Sequence, residues 1–131
     1  MDLHGLHVLL AEDNDLNAEI AVSLLEEQGM IVTRAADGKS ALIQFCNTAP
    51  GTFDLILMDI MMPEMNGYET TKAIRNLPDR PDGKEIPIIA MTANAFAEDV
   101  QAALNAGMDD HVAKPMDMDI LISAIEKCVK R

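Results

Sequence analysis

Short apolar runs alternate along this chain with stretches whose apolar residues recur every three or four positions. The runs at 7–11, 31–35, 55–58, 88–91 and 111–113 read as β-strands. Between them Ile20, Leu24 and Leu25, then Ala41, Leu42 and Phe45, then Ala73, Ile74 and Leu77, then Val100, Ala103 and Leu104 fall at a spacing near 3.6, which predicts helices. A last segment puts Ile120, Leu121, Ala124, Ile125 and Val129 on one face and ends in Lys127, Lys130 and Arg131, basic residues that suit the negative end of a helix. The strands are apolar throughout instead of alternating, so both their faces must be covered. Five strand and helix alternations of this kind predict an α/β domain with a parallel sheet, right-handed crossovers and helices on both sides.

Glycine and proline punctuate the same division. Gly29, Gly38, Gly67 and Gly107 fall where helices should stop or loops turn, and Pro50-Gly51, Pro63, Pro78, Pro81 and Pro87 lie outside the helix interiors. The stretch 78–85 reads as a polar surface loop. No repeat, linker or second core interrupts the pattern, so residues 1–131 are expected to form one domain.

Composition narrows the partners. The formal charge of −12 repels polyanions and attracts metal cations and basic surfaces, which disfavours direct nucleic-acid binding. No apolar stretch is long enough to span a bilayer and no signal peptide leads the chain, so a cytoplasmic location is expected. Cys46 and Cys128 lie far apart without a C-x-x-C motif and fit reduced thiols better than a disulfide framework. His4 and His7 lack a third ligand and read as surface or packing residues.

In open parallel sheets, ligands bind beyond the carboxyl ends of the strands, where strand order reverses. Few residues stand there: Glu12 and Asp13 after the first strand, Asp59 after the third, Thr92 after the fourth, and Lys114-Pro115 after the fifth. Taken singly most have bland readings. Asp13-Asn14 serves equally well as a helix cap, Thr92 as a loop threonine and Lys114 as a solvated lysine. Asp59 is different, because it interrupts the run Leu-Ile-Leu-Met-Asp-Ile-Met-Met-Pro, where a charge is costly without a partner.

Together the five have a clear chemistry. Three close carboxylates repel and call for protons or a cation. Mg²⁺, which takes hard oxygen ligands and phosphate oxygens, is the natural choice, and the absence of Cys or His from the group argues against zinc or copper. With Lys114, the Thr92 hydroxyl and the Ala93 N–H to receive phosphoryl oxygens, the set reads as a phosphoryl-transfer site with Asp59 as nucleophile.

The string Leu9-Leu10-Ala11-Glu12-Asp13-Asn14, the run Leu57-Met58-Asp59-Ile60-Met61-Met62-Pro63 with Gly67, the segment Ala90-Met91-Thr92-Ala93, and Lys114-Pro115 resemble two-component response regulator receiver domains. The match runs in order across essentially the whole chain. The resemblance implies a flavodoxin-like (βα)5 three-layer sandwich with strand order 2-1-3-4-5. It implies Asp59 as phosphoacceptor, direct Mg²⁺ ligation by Asp13, Asp59 and the backbone carbonyl of Met61, Glu12 acting through water, and phosphoryl binding by Thr92 and Lys114. It also implies a cis peptide before Pro115. One departure stands out: the position three before the lysine usually holds Tyr or Phe in the family, and here it is His111, the candidate switch residue alongside Thr92.

Further wording, Asn17 after Glu-Asp-Asn, then Met91-Thr92-Ala93-Asn94-Ala95 and Gly107-Met108-Asp109-Asp110-His111, is similar to receivers of hybrid histidine kinases and phosphorelays. The implied partner is a histidine kinase or histidine phosphotransfer domain, docking beside the first helix through Asn14, Asn17, Ala18 and Val22. The implied readout surface is 96–106, 111–113 and 118–129, which is also where a homodimer would form. Such a domain is not a conventional enzyme, although it promotes its own phosphorylation and dephosphorylation, and the implied context is either a hybrid histidine kinase as parent chain or a stand-alone receiver. Two rival readings ask for other residues. A Mg²⁺-dependent aspartyl-phosphate phosphohydrolase of the haloacid-dehalogenase type needs a second Asp where Met61 stands. A flavin carrier needs a glycine- and hydroxyl-rich loop where Glu12-Asp13-Asn14-Asp15 stands.

Overall fold

The computed structural model describes residues 3–92, 97–114 and 117–129, the side chains of 97–99 excepted. Strands β1 (His7–Ala11), β2 (Ile31–Ala35), β3 (Leu55–Asp59), β4 (Ile88–Thr92) and β5 (Asp110–Ala113) form one sheet in the order β2-β1-β3-β4-β5. Every pairing is parallel. The helices are α1 (Asp15–Glu27), α2 (Gly38–Asn47), α3 (Gly67–Arg75), α4 (Pro81–Glu85), α5 (Ala97–Ala106) and α6 (Met118–Cys128). The doubly wound α/β architecture expected from the apolar strands is the one observed.

The sheet separates two cores. Val8, Leu10, Leu55 and Leu57 pack with Ala21 and Leu25 of α1 and with Leu121 and Ile125 of α6. Leu9, Ile56, Met58 and Ile88 face the other way, against Ala41 and Phe45 of α2, Ile74 of α3 and Ala103 of α5. Alternate residues of each strand therefore enter opposite cores, which is why β3 and β4 are buried from end to end and carry no polar stripe.

Two local features bear on the end of β3. Asn66 caps α3 reciprocally with Glu69, and the Gly67 N–H donates to the Ile60 carbonyl at 2.9 Å. A Cβ at Gly67 would collide with the Asp59 carbonyl, so only glycine lets α3 begin this close to the strand it follows.

The stretch 78–85, expected as a polar surface loop, contains the short helix α4. Its polar residues pair with one another and with the fold. Arg80 makes a two-point contact with Asp82, at 2.9 Å for both bonds, donates to the Phe45 carbonyl at 2.7 Å, and lies 4.4 Å over the Phe45 ring. Arg75 of α3 is a similar anchor. Its guanidinium donates to the carbonyls of Gly107, Gly83 and Ile86 and to Asp109, whose carboxylate also accepts from the Ile88 N–H. Burial pulls the Arg75 pKa below its ordinary value, with Asp109 opposing that shift.

Candidate functional site

The strand order reverses between β1 and β3, and the acidic residues gather at that reversal. Asp59 is the last residue of β3, and β1 runs directly into Glu12. Both side chains are nearly enclosed, with Glu12 2% and Asp59 3% exposed, whereas Asp13 faces solvent. One carboxylate oxygen from each of the three lies within 4.8 Å of the others.

Lys114 closes this group from the far end of the sheet. Its Nζ is 3.0 Å from Glu12 Oε2 and 3.1 Å from Asp59 Oδ1. The backbone that carries it is tied down as well, since the Lys114 N–H donates to the Thr92 carbonyl at 2.8 Å. Thr92 ends β4 and is buried, one residue past the Asp59–Met91 register pair. Glu12, Asp13, Asp59, Thr92 and Lys114 thus stand along one rim, as the strand ends require.

Charge in this pocket is strained before any ligand arrives. Burial pushes the Asp59 carboxyl up to about 6 from its ordinary 3.8, and the neighbouring Glu12 carboxylate pushes the same way, while Lys114 opposes both. Burial pulls Lys114 down, but its hydrogen bonds to Glu12 and Asp59 outweigh that and leave it raised. One ammonium against three carboxylates leaves the rim short of positive charge. Its oxygen-only donor set suits a small hard divalent cation.

The loop carrying Glu12 and Asp13 is held from several sides. Its Glu12 N–H donates to the Ala35 carbonyl at 3.1 Å, and Glu12 Oε1 accepts from the Asn14 N–H at 3.2 Å. Asn14 then caps α1 by accepting from the Asn17 N–H at 2.9 Å. Sequence reasoning overlooked Arg34, which donates from Nε and Nη2 to the Glu12 carbonyl and from Nη1 to Asp15. The available signal was the one charged residue of the strand Ile-Val-Thr-Arg-Ala, one residue from its end.

Other expected site residues stand elsewhere. His111 lies on β5, in register with Ala90, with its N–H donating to Asp110 Oδ1 at 2.8 Å and its ring Nδ1 3.7 Å from the same oxygen. It is outside the carboxylate and lysine group. Met61 follows β3 with 75% exposure, and its N–H reaches Asp59 Oδ1 at 3.4 Å. Ala93 and the Pro115 peptide lie outside the described residues, as do Asn94, Phe96 and Met116.

The α1 contact face needs correction. Of the four expected contacts, Asn14 and Asn17 are exposed and Val22 is partly buried against the core, whereas Ala18 is 2% exposed and unavailable to a partner. The exposed apolar residues of α1 are Leu16 at 64% and Ile20 at 50%, one turn apart.

The chain is similar to known proteins over most of its length. The sequence matches the family model of the response regulator receiver domain over residues 8–126. It is 42% identical over 127 residues to the aerobic respiration control sensor protein ArcB of Escherichia coli, covering 97% of this chain and 16% of that protein. The chain therefore spans about a sixth of the length of that relative. Among solved structures, the receiver domain of a Pseudomonas aeruginosa sensor histidine kinase, with magnesium coordinated in its active site cleft, has a TM-score of 0.83 at 36% identity, covering 95% of this chain and 97% of that one. A chain from the co-crystal of the Saccharomyces cerevisiae histidine phosphotransfer protein Ypd1 with the receiver domain of Ssk1 has a TM-score of 0.82 at 27% identity, covering 97% and 90%.

The raised Asp59 pKa has a consequence for stability. The native carboxyl binds its proton near pH 6 and the unfolded one near 3.8, so the native state is favoured by that proton at low pH. The advantage is complete below about pH 4, declines as pH rises, and is gone above about pH 6. In metal-free buffer Asp59→Asn is therefore expected to be more stable than the parent at neutral pH, by up to about 3 kcal/mol. Urea unfolding in a chelating buffer should show the gap opening between about pH 4 and pH 7. A gap that does not change with pH would mean that Asp59 ionises without strain.

Proposed function

This chain belongs to the response regulator receiver domain family, and from that premise we propose that Asp59 accepts a phosphoryl group from a phosphohistidine of a partner protein in a Mg²⁺-dependent reaction. Receivers of this kind are carried by hybrid histidine kinases and phosphorelay proteins, and the rim described above supports Asp59 as the acceptor. One observation carries the assignment: Asp59 is a buried carboxylate paired with Lys114 and placed within 4.8 Å of two further acids.

The transfer asks little covalent chemistry of the protein. The P–N bond of the phosphohistidine breaks with its electron pair going to the ring nitrogen, and an Asp59 carboxylate oxygen forms the new P–O bond. An imidazole protonated on its other nitrogen leaves neutral. Asp59 must be ionised to attack, and with a pKa near 6 it is mostly so at neutral pH. Lys114 is already in hydrogen-bond range of Asp59 and so stands ready to take up charge on a transferring oxygen. The Thr92 hydroxyl and the Ala93 N–H are assigned to the remaining oxygens.

Asp13, Asp59 and the Met61 carbonyl are assigned as Mg²⁺ ligands, with Glu12 acting through water. An ion held there would supply positive charge that lowers the repulsion between the Asp59 carboxylate and an incoming phosphoryl group. The phosphohydrolase reading is not favoured, because the residue two after Asp59 is the exposed Met61, which has no proton to donate to a leaving group.

A histidine kinase or histidine phosphotransfer domain is the proposed donor. Leu16 and Ile20 supply exposed apolar contacts on α1, and Met61 supplies another on the loop after β3. The readout surface is assigned to α5, β5 and α6, the helix at 97–106 being the fourth in the count that omits α4. Leu104 and Ile120 are exposed there, Thr92 and His111 are the proposed switch residues, and homodimerisation is a second use of that surface. No described helix is long and apolar enough to cross a membrane. A cytoplasmic site of action fits the two free thiols, and a role within a hybrid kinase fits the relatives' greater length.

Incubation with a phosphorylated histidine phosphotransfer domain is expected to label the wild type in Mg²⁺, and to label neither Asp59→Asn nor the wild type in excess chelator. Labelling of the Asn variant would reject Asp59 as the acceptor. Ile20→Asp is expected to slow transfer from the same donor about tenfold or more, while labelling by a small acyl phosphate keeps its wild-type rate. Equal slowing with both donors would place Ile20 in the site's chemistry instead of in docking.

A further inference from the structure

The least expected contact at the rim is made by Arg34. It stands on the edge strand β2 in register with Leu10, a member of the core beneath α1 and α6. From there its guanidinium spans the start of α1. Nε and Nη2 both donate to the main-chain carbonyl of Glu12, at 3.1 and 2.8 Å, and Nη1 donates to Asp15 Oδ1 at 2.9 Å. These two anchor points bracket Asp13 and Asn14. Among the described residues no hydrogen bond or ion pair holds the Asp13 carboxylate itself, so its position follows from the backbone that Arg34 grips.

We propose that Arg34 is a positioning residue for the divalent-cation site, fixing the Glu12–Asp15 backbone so that Asp13 faces Asp59 and drawing Asp15 away from the ligand set. The inference rests on the Mg²⁺ assignment made above. Without the grip, the turn would keep its bonds to Ala35 and to the start of α1 but lose the link that holds the three mutually repelling carboxylates of Glu12, Asp13 and Asp15 in fixed register. A hard octahedral ion tolerates loss of that register poorly.

Arg34 acts on a cation in two ways of opposite sign. Its charge repels the ion, while its planar fork orders the ligands. Lysine keeps the charge but offers one flexible ammonium in place of three directed N–H groups, so Arg34→Lys isolates the geometric part. Arg34→Gln removes both.

Calorimetric titration with Mg²⁺ of the wild type, Arg34→Lys, Arg34→Gln and Asp13→Asn tests this, together with thermal unfolding and amide hydrogen exchange in chelating buffer. Arg34→Lys is expected to bind Mg²⁺ about tenfold more weakly, the lower end of what loss of a supporting contact costs a metal site. Its metal-free melting temperature should stay near the wild-type value, because the side chain is 28% exposed on an edge strand. The amides of Asp13, Asn14 and Asp15 should exchange faster. Arg34→Gln is expected to weaken binding by a smaller factor, since lost repulsion offsets part of the lost order, and it carries the same test if the lysine variant folds poorly. Wild-type Mg²⁺ affinity in Arg34→Lys, or tighter binding in Arg34→Gln, would overturn the positioning role. Absence of Mg²⁺ binding by the wild type, or equal binding by Asp13→Asn, would overturn the metal site itself, which the Arg34 variants alone would not do.

Discussion

The structure turns on one electrostatic arrangement: three carboxylates gathered at the reversal of strand order, two of them, Glu12 and Asp59, bridged by a single lysine. Glu12 and Lys114 are 102 positions apart in sequence and 3.0 Å apart in space. Only the parallel sheet brings them together, by aligning the carboxyl ends of β1, β3 and β5 along one edge. Gathering like charges in a buried setting opposes folding, and the raised pKa of Asp59 records that opposition. The apolar strands beneath, buried on both faces, hold the rim in place despite it.

The three anchoring arginines share a task that an acidic chain makes necessary. Arg75 satisfies carbonyls at Gly83, Ile86 and Gly107, Arg80 satisfies Phe45, and Arg34 satisfies Glu12. Each ties backbone from separate elements through a fork of directed donors, which a lysine cannot reproduce. Arg75 and Arg80 rigidify connections that enter β4 and β5 or close α2. Arg34 alone does so beside the proposed chemistry. Three of the four arginines of this protein thus serve as structural anchors, and among the described residues Lys114 is the cation that contacts both Glu12 and Asp59.

Much of this was legible in the sequence. Continuous apolar runs marked the strands because a parallel sheet covered on both faces leaves no polar alternation, and Asp59 stood out because it broke such a run. Lys114 and Thr92 followed from strand ends alone. Three features were not legible, each for a physical reason. Helix α4 hid in Pro-Asp-Gly-Lys-Glu, which is loop-like in propensity and held by Arg80, Asp82 and Phe45 in tertiary contact. The two apolar stripes of α1, Leu16 with Ile20 and Ala18 with Val22, have the same spacing, so only packing against the sheet decides which faces out. Nothing local in the sequence pairs Arg34 with the Glu12 carbonyl, which only the alignment of β2 beside β1 puts within its reach.

The central claim is that the phosphoryl group becomes an acyl phosphate on the carboxylate ending β3. Its most direct test is chemical trapping: phosphorylated wild-type protein is reduced with borohydride, which converts an aspartyl phosphate to homoserine, and the peptides are sequenced by mass spectrometry. Homoserine is expected at position 59 alone. Homoserine in place of another aspartate, or phosphorus that survives reduction on a histidine, would contradict it.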